Sequence, residues 1–346
     1  MSYQPVVELT RGEIVESIHY GAVAVADRSG KLYAWWGDPQ IVTYLRSSAK
    51  PFQGLPLLES GAAAHYDLSP KQIAVICSSH SGTDEHVQTV ASIQSKVGVT
   101  EDDLLCGVHQ PIHHQTAQRL KEEGREPTPI FHNCSGKHTG MLALARFLGA
   151  SLSDYIDPHH PVQRLILQTF AEMCGMELRE VELGTDGCSA PNFAVSLRAA
   201  ATAYARLMDP SGFTADRAEA CRKVVAAMTS NPYMVAGPDR FDTRLMEVAG
   251  GRLLTKGGAE AYQGIGIPAG VFGSGSSALG VAIKIADGDR GQRARAVVAL
   301  AVLEALGVLP EDEQKALAEF GPRALTNYRG LTVGQVRACF RLERVS

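Results

Sequence analysis

The sequence predicts an α/β protein of the α+β type. Its sheet is mainly antiparallel, contributed by the N- and C-terminal parts of the chain, and its middle region is largely helical. Three observations carry this. A hairpin pattern occupies residues 20–36, strand-like alternation returns after residue 250, and helical segments dominate residues from about 84 to 249. No internal repeat, low-complexity tract or long linker interrupts the 346 residues. A single unit over 1–346 is therefore expected, with its sheet-containing part at about 1–83 and 250–346 and its helical part at about 84–249.

The elements follow in order. Residues 20–26 are apolar and β-prone, Asp27 to Gly30 is turn chemistry, and residues 31–36 return as a second strand. Residues 73–77 read as a short buried strand that runs into the small polar loop 78–83. A helix over 84–97 follows, stopped by Gly98. Residues 106–114 form a loop with three histidines, whose spacing matches no compact metal site, and a short charged helix covers 115–123. Ile130 and Phe131 end an extended piece, 133–136 is a loop, and 141–148 is a helix closed by Gly149. Helices are expected at 161–174, 193–208, 214–230, 240–249, 290–306 and 311–319. Extended segments are expected at 181–185, 253–256, 278–286 and 336–342.

Composition excludes several function classes. Apolar residues make up 45 %, enough for a sizeable core. The net charge of −4, with no basic run, gives no electrostatic case for binding nucleic acid or an anionic membrane surface. No apolar stretch reaches the ~18 residues of a membrane span, and the N-terminal residues lack the apolar run of a signal peptide. Seven scattered cysteines suit reduced thiols in a cytoplasm better than a disulfide framework.

Reactive residue types gather at element ends. Ser47 and Lys50, in Arg46-Ser-Ser-Ala-Lys-Pro51, are three apart and share a helical face. A serine hydroxyl is a poor nucleophile, and a desolvated lysine, whose pKa falls from about 10.4 toward about 7–8, is a base able to activate it. Alone, S-x-x-K is a weak signal and fits an ordinary helix start. Further loops carry Ser79, then Cys134 with Lys137 and His138, then Cys188 beside Asp186, and finally Lys256 before two glycines. Spacing and ligand chemistry alone suggest Cys134, His138 and Cys188 as zinc ligands, because imidazole binds zinc far more often than lysine does.

These residues resemble the rhizobial-type (class 3, thermolabile) L-asparaginases. The likeness runs through Glu16-Ser-x-His19, Arg46-Ser-x-x-Lys-Pro51, Ser79-His80, His132-Asn-Cys-Ser-Gly-Lys-His138, Asp186-Gly-Cys188, Asn231-Pro232, Arg240-Phe-Asp-Thr243 and Lys256-x-Gly-Ala-Glu260. The resemblance implies a serine β-lactamase/glutaminase-like fold and hydrolysis of L-asparagine to L-aspartate and ammonia. It implies Ser47 with Lys50 as one catalytic pair and Ser79 with Lys256 as a second. It implies Arg46, His80, Asp186 and His138 at the substrate, and zinc on Cys134, Lys137 and Cys188, with a homodimer as the assembly. Lysine must lose its proton to bind a metal, so the two ligand sets differ in chemistry. Rival readings are a glutaminase, a β-lactamase- or esterase-like acyl hydrolase, and a non-catalytic zinc- or amino-acid-binding protein.

Overall fold

In the computed structural model the described residues are 3–271, 273 and 275–344; Phe272 and Ser274, inside the glycine-rich 264–280 stretch, lie outside them. The chain divides into two units. One comprises 1–48, 195–209 and 244–346, and the other comprises 49–194 and 210–243. No helix among the described residues is long and apolar enough to cross a membrane. No disulfide forms among them.

The first unit holds the antiparallel sheet, drawn from both ends of the chain as the sequence predicts. Its strands run in the order Arg323–Thr326, Thr332–Ala338, Gln4–Arg11, Ile14–Asp27, Leu279–Ile285, Tyr262–Ile267 and Leu254–Gly258. The expected hairpin forms between Ile14–Asp27 and Leu32–Trp36, with Val23 opposite Trp36 and Ala24 opposite Trp35. Tyr262–Ile267 and Leu279–Ile285 are buried at every position, so both faces of the sheet are covered there. The helix Leu197–Met208 packs on these strands.

Glycines make that packing possible. A Cβ on Gly264 would lie 2.1 Å from the Tyr204 ring, and one on Gly280 would lie 1.9 Å from Ala201 O. Tyr262–Ile267 is a strand that the sequence reading missed. Gly264 and Gly266 lower its β-propensity, and their reason is the long-range neighbour Tyr204. Gln4–Arg11 was missed as well, and residues 193–208 are not one helix. Pro191–Ser196 is a strand, and Ser196 then caps the helix by accepting from Ala199 N.

The second unit is mostly helical. Here residues 73–77, expected as a strand, lie in the helix Pro70–Ile76. Ser69 and Gln72 form a capping box and Pro70 opens the first turn, so local capping decides an apolar run too short to classify by period. The helix Asp84–Val97 forms as expected, capped by Thr83 and closed by Gly98 in the left-handed conformation. The helix expected at 141–148 begins earlier, as Ser135–Phe147, and takes in both Gly136 and Gly140. A Cβ on Gly136 would lie 2.2 Å from Val75 O, and one on Gly140 would lie 2.6 Å from Ile76 Cγ2. These glycines seat Ser135–Phe147 directly on Pro70–Ile76, and they flank Lys137 and His138 in the chain. A short hairpin, Glu182–Thr185 with residues 191–194 of Pro191–Ser196, carries the Asp186–Cys188 turn at its tip.

Candidate active site

Lys50 opens the helix Lys50–Gln53 and is only 1 % exposed. Its amine donates to Ser78 O at 2.5 Å, to Ser79 Oγ at 2.9 Å and to Asn133 O at 3.3 Å. Ser79 sits in the loop that leaves Pro70–Ile76, and its own N–H donates to Val235 O. The loop thus has a fixed backbone, and its hydroxyl meets a buried amine. Asn133 is held from the other side, since its N–H donates to His109 Nε2 at 3.1 Å. The next N–H, that of Cys134, donates to His132 Nδ1 at 3.0 Å.

Cys134, Lys137, His138 and Cys188 gather in the same unit, all buried. Lys137 Nζ donates to Cys188 Sγ at 3.0 Å. The Cys134 thiol is held well below the usual cysteine range, first by its hydrogen bond with Cys188 and then by the nearby Lys50 and Lys137 amines, against the effect of burial. That hydrogen bond and burial push Cys188 the other way. The two sulfurs behave as one unit that readily gives up a first proton and keeps the second. Burial works against the charge of Lys137, but Cys188 and Cys134 hold it above the ordinary lysine value. Burial brings His138 down to about 4, and it does the same to His132. Asp186 closes the neighbouring turn, with its Oδ1 accepting from Gly187 N at 2.8 Å, and its charge also acts on Lys137.

His80 is fully buried, and both of its ring nitrogens are used within the protein. Gly82 N–H donates to Nδ1 at 3.1 Å, and Nε2 stands 2.9 Å from Ser135 Oγ. The ring stacks on His86, which stacks on Tyr233. These contacts tie the Ser79 loop to the turn that carries Cys134.

The first unit holds the other expected residues. Arg46 has φ of 51°, a left-handed backbone that turns the chain into the 3-10 helix Arg46–Ala49, where Ser47 lies half-buried. Ser48 Oγ donates to Lys256 O at 2.7 Å, and Tyr204 OH donates to Ser48 O at 2.7 Å. A Cβ on Gly258 would lie 2.4 Å from Leu45 O, so the strand Leu254–Gly258 needs glycine there to approach this segment. Lys256 Nζ donates to Gly257 O at 2.7 Å. Ser47 and Lys256 therefore share one unit, and Lys50 and Ser79 share the other.

Sequence reading missed Tyr155, whose hydroxyl lies 2.7 Å from His138 Nδ1, and the backbone-holding roles of His109 and His132. Tyr155 stands in a loop with no motif around it. His109 lies in the three-histidine loop and His132 opens the motif His132–His138, but neither position signals the amide it accepts from. Among the described residues no three His, Cys, Asp or Glu side chains come together to hold a metal, and the third member of the expected set is a lysine.

A buried amine on a serine hydroxyl, beside a thiol pair that ionises readily, suits a hydrolase working through a nucleophile. The model of the family described as L-asparaginase II matches residues 7–338, so the chain belongs to that family. No curated protein matches it. Among solved structures, Mglu in its native form is 13 % identical with a TM-score of 0.43, over 85 % of this chain and 66 % of that one. Another Mglu structure reaches 16 % and 0.46, over 84 % and 68 %. The covalent complex between the Bacillus subtilis glutaminase YbgJ and 5-oxo-L-norleucine is 12 % identical, with a TM-score of 0.35 over 76 % and 79 %. The chain spans just under two thirds of the first of these structures. With TM-scores below 0.5, these likenesses carry neither fold nor chemistry over to this chain.

Proposed function

We propose that the chain hydrolyses the side-chain amide of L-asparagine to L-aspartate and ammonia through a serine acyl-enzyme, with Lys50 as the base. The observation that carries this is the set of partners around the Lys50 amine: two backbone carbonyls and one serine hydroxyl. A protonated lysine has three N–H donors, one for each partner. A neutral amine keeps two N–H bonds for the carbonyls and turns its lone pair to the hydroxyl proton. Both protonation states fit without rearrangement, as a group that takes and returns a proton requires.

Ser47 is the proposed attacking hydroxyl. It stands three residues before Lys50, and its side chain makes no hydrogen bond among the described residues. Lys50 takes its proton, and Ser79, bonded to the same amine, passes a proton to the departing ammonia. Lys256 completes the relay. Arg46 and Asp186 supply charges of opposite sign for the carboxylate and ammonium of an amino acid, with His138 nearby. A second reading has Ser79 as the nucleophile, favoured by its 2.9 Å contact with Lys50. Trapping the acyl-enzyme and locating it by mass spectrometry separates the two, because the adduct falls on Ser47 or on Ser79. Ammonia release from asparagine, measured beside glutamine and a β-lactam, tests the substrate. Faster release from glutamine, or β-lactam turnover alone, overturns the asparagine assignment.

Zinc belongs to the same proposal. Two buried thiols, one already acidic, and an amine within 3.0 Å of a sulfur form a donor set that suits it. Beside them lies the buried His138 Nε2, which has no nitrogen or oxygen partner among the described residues and turns to the sulfur of Cys188. Cys134, Lys137 and Cys188 would hold the ion. When bound, it supplies positive charge that orients and polarises the substrate's polar groups. Full activity in metal-free protein leaves zinc only the task of joining two loops. A cytoplasmic homodimer completes the reading, in line with the usual assembly of soluble enzymes.

A further inference from the structure

Tyr155 is fully buried, and its hydroxyl has two neighbours. Leu105 N–H donates to it at 2.8 Å, and His138 Nδ1 stands 2.7 Å away. The Leu105 amide is a donor only, so it occupies a lone pair of the phenol oxygen. The hydroxyl proton needs an acceptor, and among the described residues His138 Nδ1 is the one within reach. Burial also keeps the phenol protonated, with its pKa raised above the ordinary tyrosine value. If instead Nδ1–H donated to the oxygen, the phenol proton would be left buried and unpaired. Tyr155 O–H therefore donates to Nδ1, and the single proton of the imidazole sits on Nε2.

We propose that Tyr155 is a positioning residue that fixes His138 in its Nε2–H tautomer, so that His138 offers the Cys134–Lys137–Cys188 cluster an N–H donor and not a metal-binding lone pair. Nε2 is buried and has no nitrogen or oxygen hydrogen-bond partner among the described residues. After burial, the strongest influence on the ring is a hydrogen bond with the Cys188 side chain, and with Nδ1 taken by Tyr155 that bond falls to Nε2. An N–H beside a sulfur favours the thiolate, which is the form that binds a metal. The sequence had left two ligand sets open, one with His138 and one with Lys137. The hydrogen bonds of Tyr155 remove His138, leaving the amine that already touches Cys188. The consequence for metal binding rests on the zinc reading above, but the tautomer does not.

The test is two-bond proton–nitrogen NMR on metal-free protein labelled with 15N-histidine, with the His138 signals identified by their loss in His138→Gln. The expected pattern is a protonated Nε2 and a bare Nδ1. In Tyr155→Phe that pattern is lost, because Nδ1 no longer has a donor and is free to hold the proton. A wild-type His138 protonated on Nδ1, or a Tyr155→Phe protein that keeps the wild-type pattern, overturns the proposal. If Tyr155→Phe does not fold, the wild-type spectrum alone decides. A zinc titration of wild-type protein runs in parallel. Absence of binding there sinks the zinc reading and leaves the tautomer result to stand on its own.

Discussion

Replacing Gly136 by alanine should damage stability and activity together, for one geometric reason. The helix Ser135–Phe147 lies on Pro70–Ile76 so closely that the new Cβ would meet Val75 O at 2.2 Å. The helices must part by about 0.8 Å merely to reach 3.0 Å, below which Cβ atoms essentially never approach another atom. The obstacle is a backbone carbonyl and cannot rotate away. Overpacking of this kind costs about 1–3 kcal/mol, occasionally more. The displaced helix carries Lys137 and His138, and its partner leads into Ser78 and Ser79. A shift near 1 Å at a reacting group costs ~100-fold in rate. At Gly140 the clash is with Ile76 Cγ2, a side-chain tip that has room to turn, so Gly140→Ala should be milder. Denaturant midpoints and ammonia release on both variants provide the check. A Gly136→Ala protein within about 0.5 kcal/mol and twofold of wild type would refute the reasoning, and so would a larger loss at Gly140.

Two further outcomes are expected. Lys50→Met keeps the buried stem and removes the amine, while Lys50→Arg keeps a charge that does not deprotonate; both should lose about 100- to 10,000-fold in rate, the usual size of a general-base effect. An arginine variant retaining a tenth of the rate would end the base assignment. His86 is brought by burial from 6.5 to about 4, so the unfolded chain binds its proton first as pH falls. Stability from this group is intact above pH 6.5 and is lost as pH drops through the window to about 4, amounting to roughly 3 kcal/mol in all. His86→Phe keeps the ring stack and should flatten the stability profile between pH 7.5 and 4.5 by about that amount. An unchanged acid slope in chemical denaturation would show that His86 is not the group responsible.

How much of this was legible in the sequence differs from residue to residue. The first hairpin and the helix Asp84–Val97 were, because turn chemistry at Asp27–Gly30 and the caps at Thr83 and Gly98 are local signals that the fold obeys. The strand Tyr262–Ile267 was not, because its glycines answer to Tyr204, some sixty residues away in the chain. The helix over 73–77 was misread although its capping box was visible at Ser69 and Gln72. The apolar run outweighed the punctuation beside it. Reactive residue types could be listed from sequence, but their partners could not. Spacing put Ser47 and Lys50 on one face, yet three acceptors from residues 78, 79 and 133 surround the Lys50 amine. The family resemblance places His80 at the substrate. Its burial and two saturated nitrogens show that a histidine beside a reactive serine also serves by holding the loop in place. In the proposal made above, the choice between His138 and Lys137 turns on where one phenol proton goes. Sequence carries no trace of that, because the amide that takes the phenol oxygen's lone pair, Leu105, lies fifty residues from Tyr155. Chemistry that depends on residue type is thus readable along the chain. Chemistry that depends on which donor faces which acceptor appears only once the loops have been brought together.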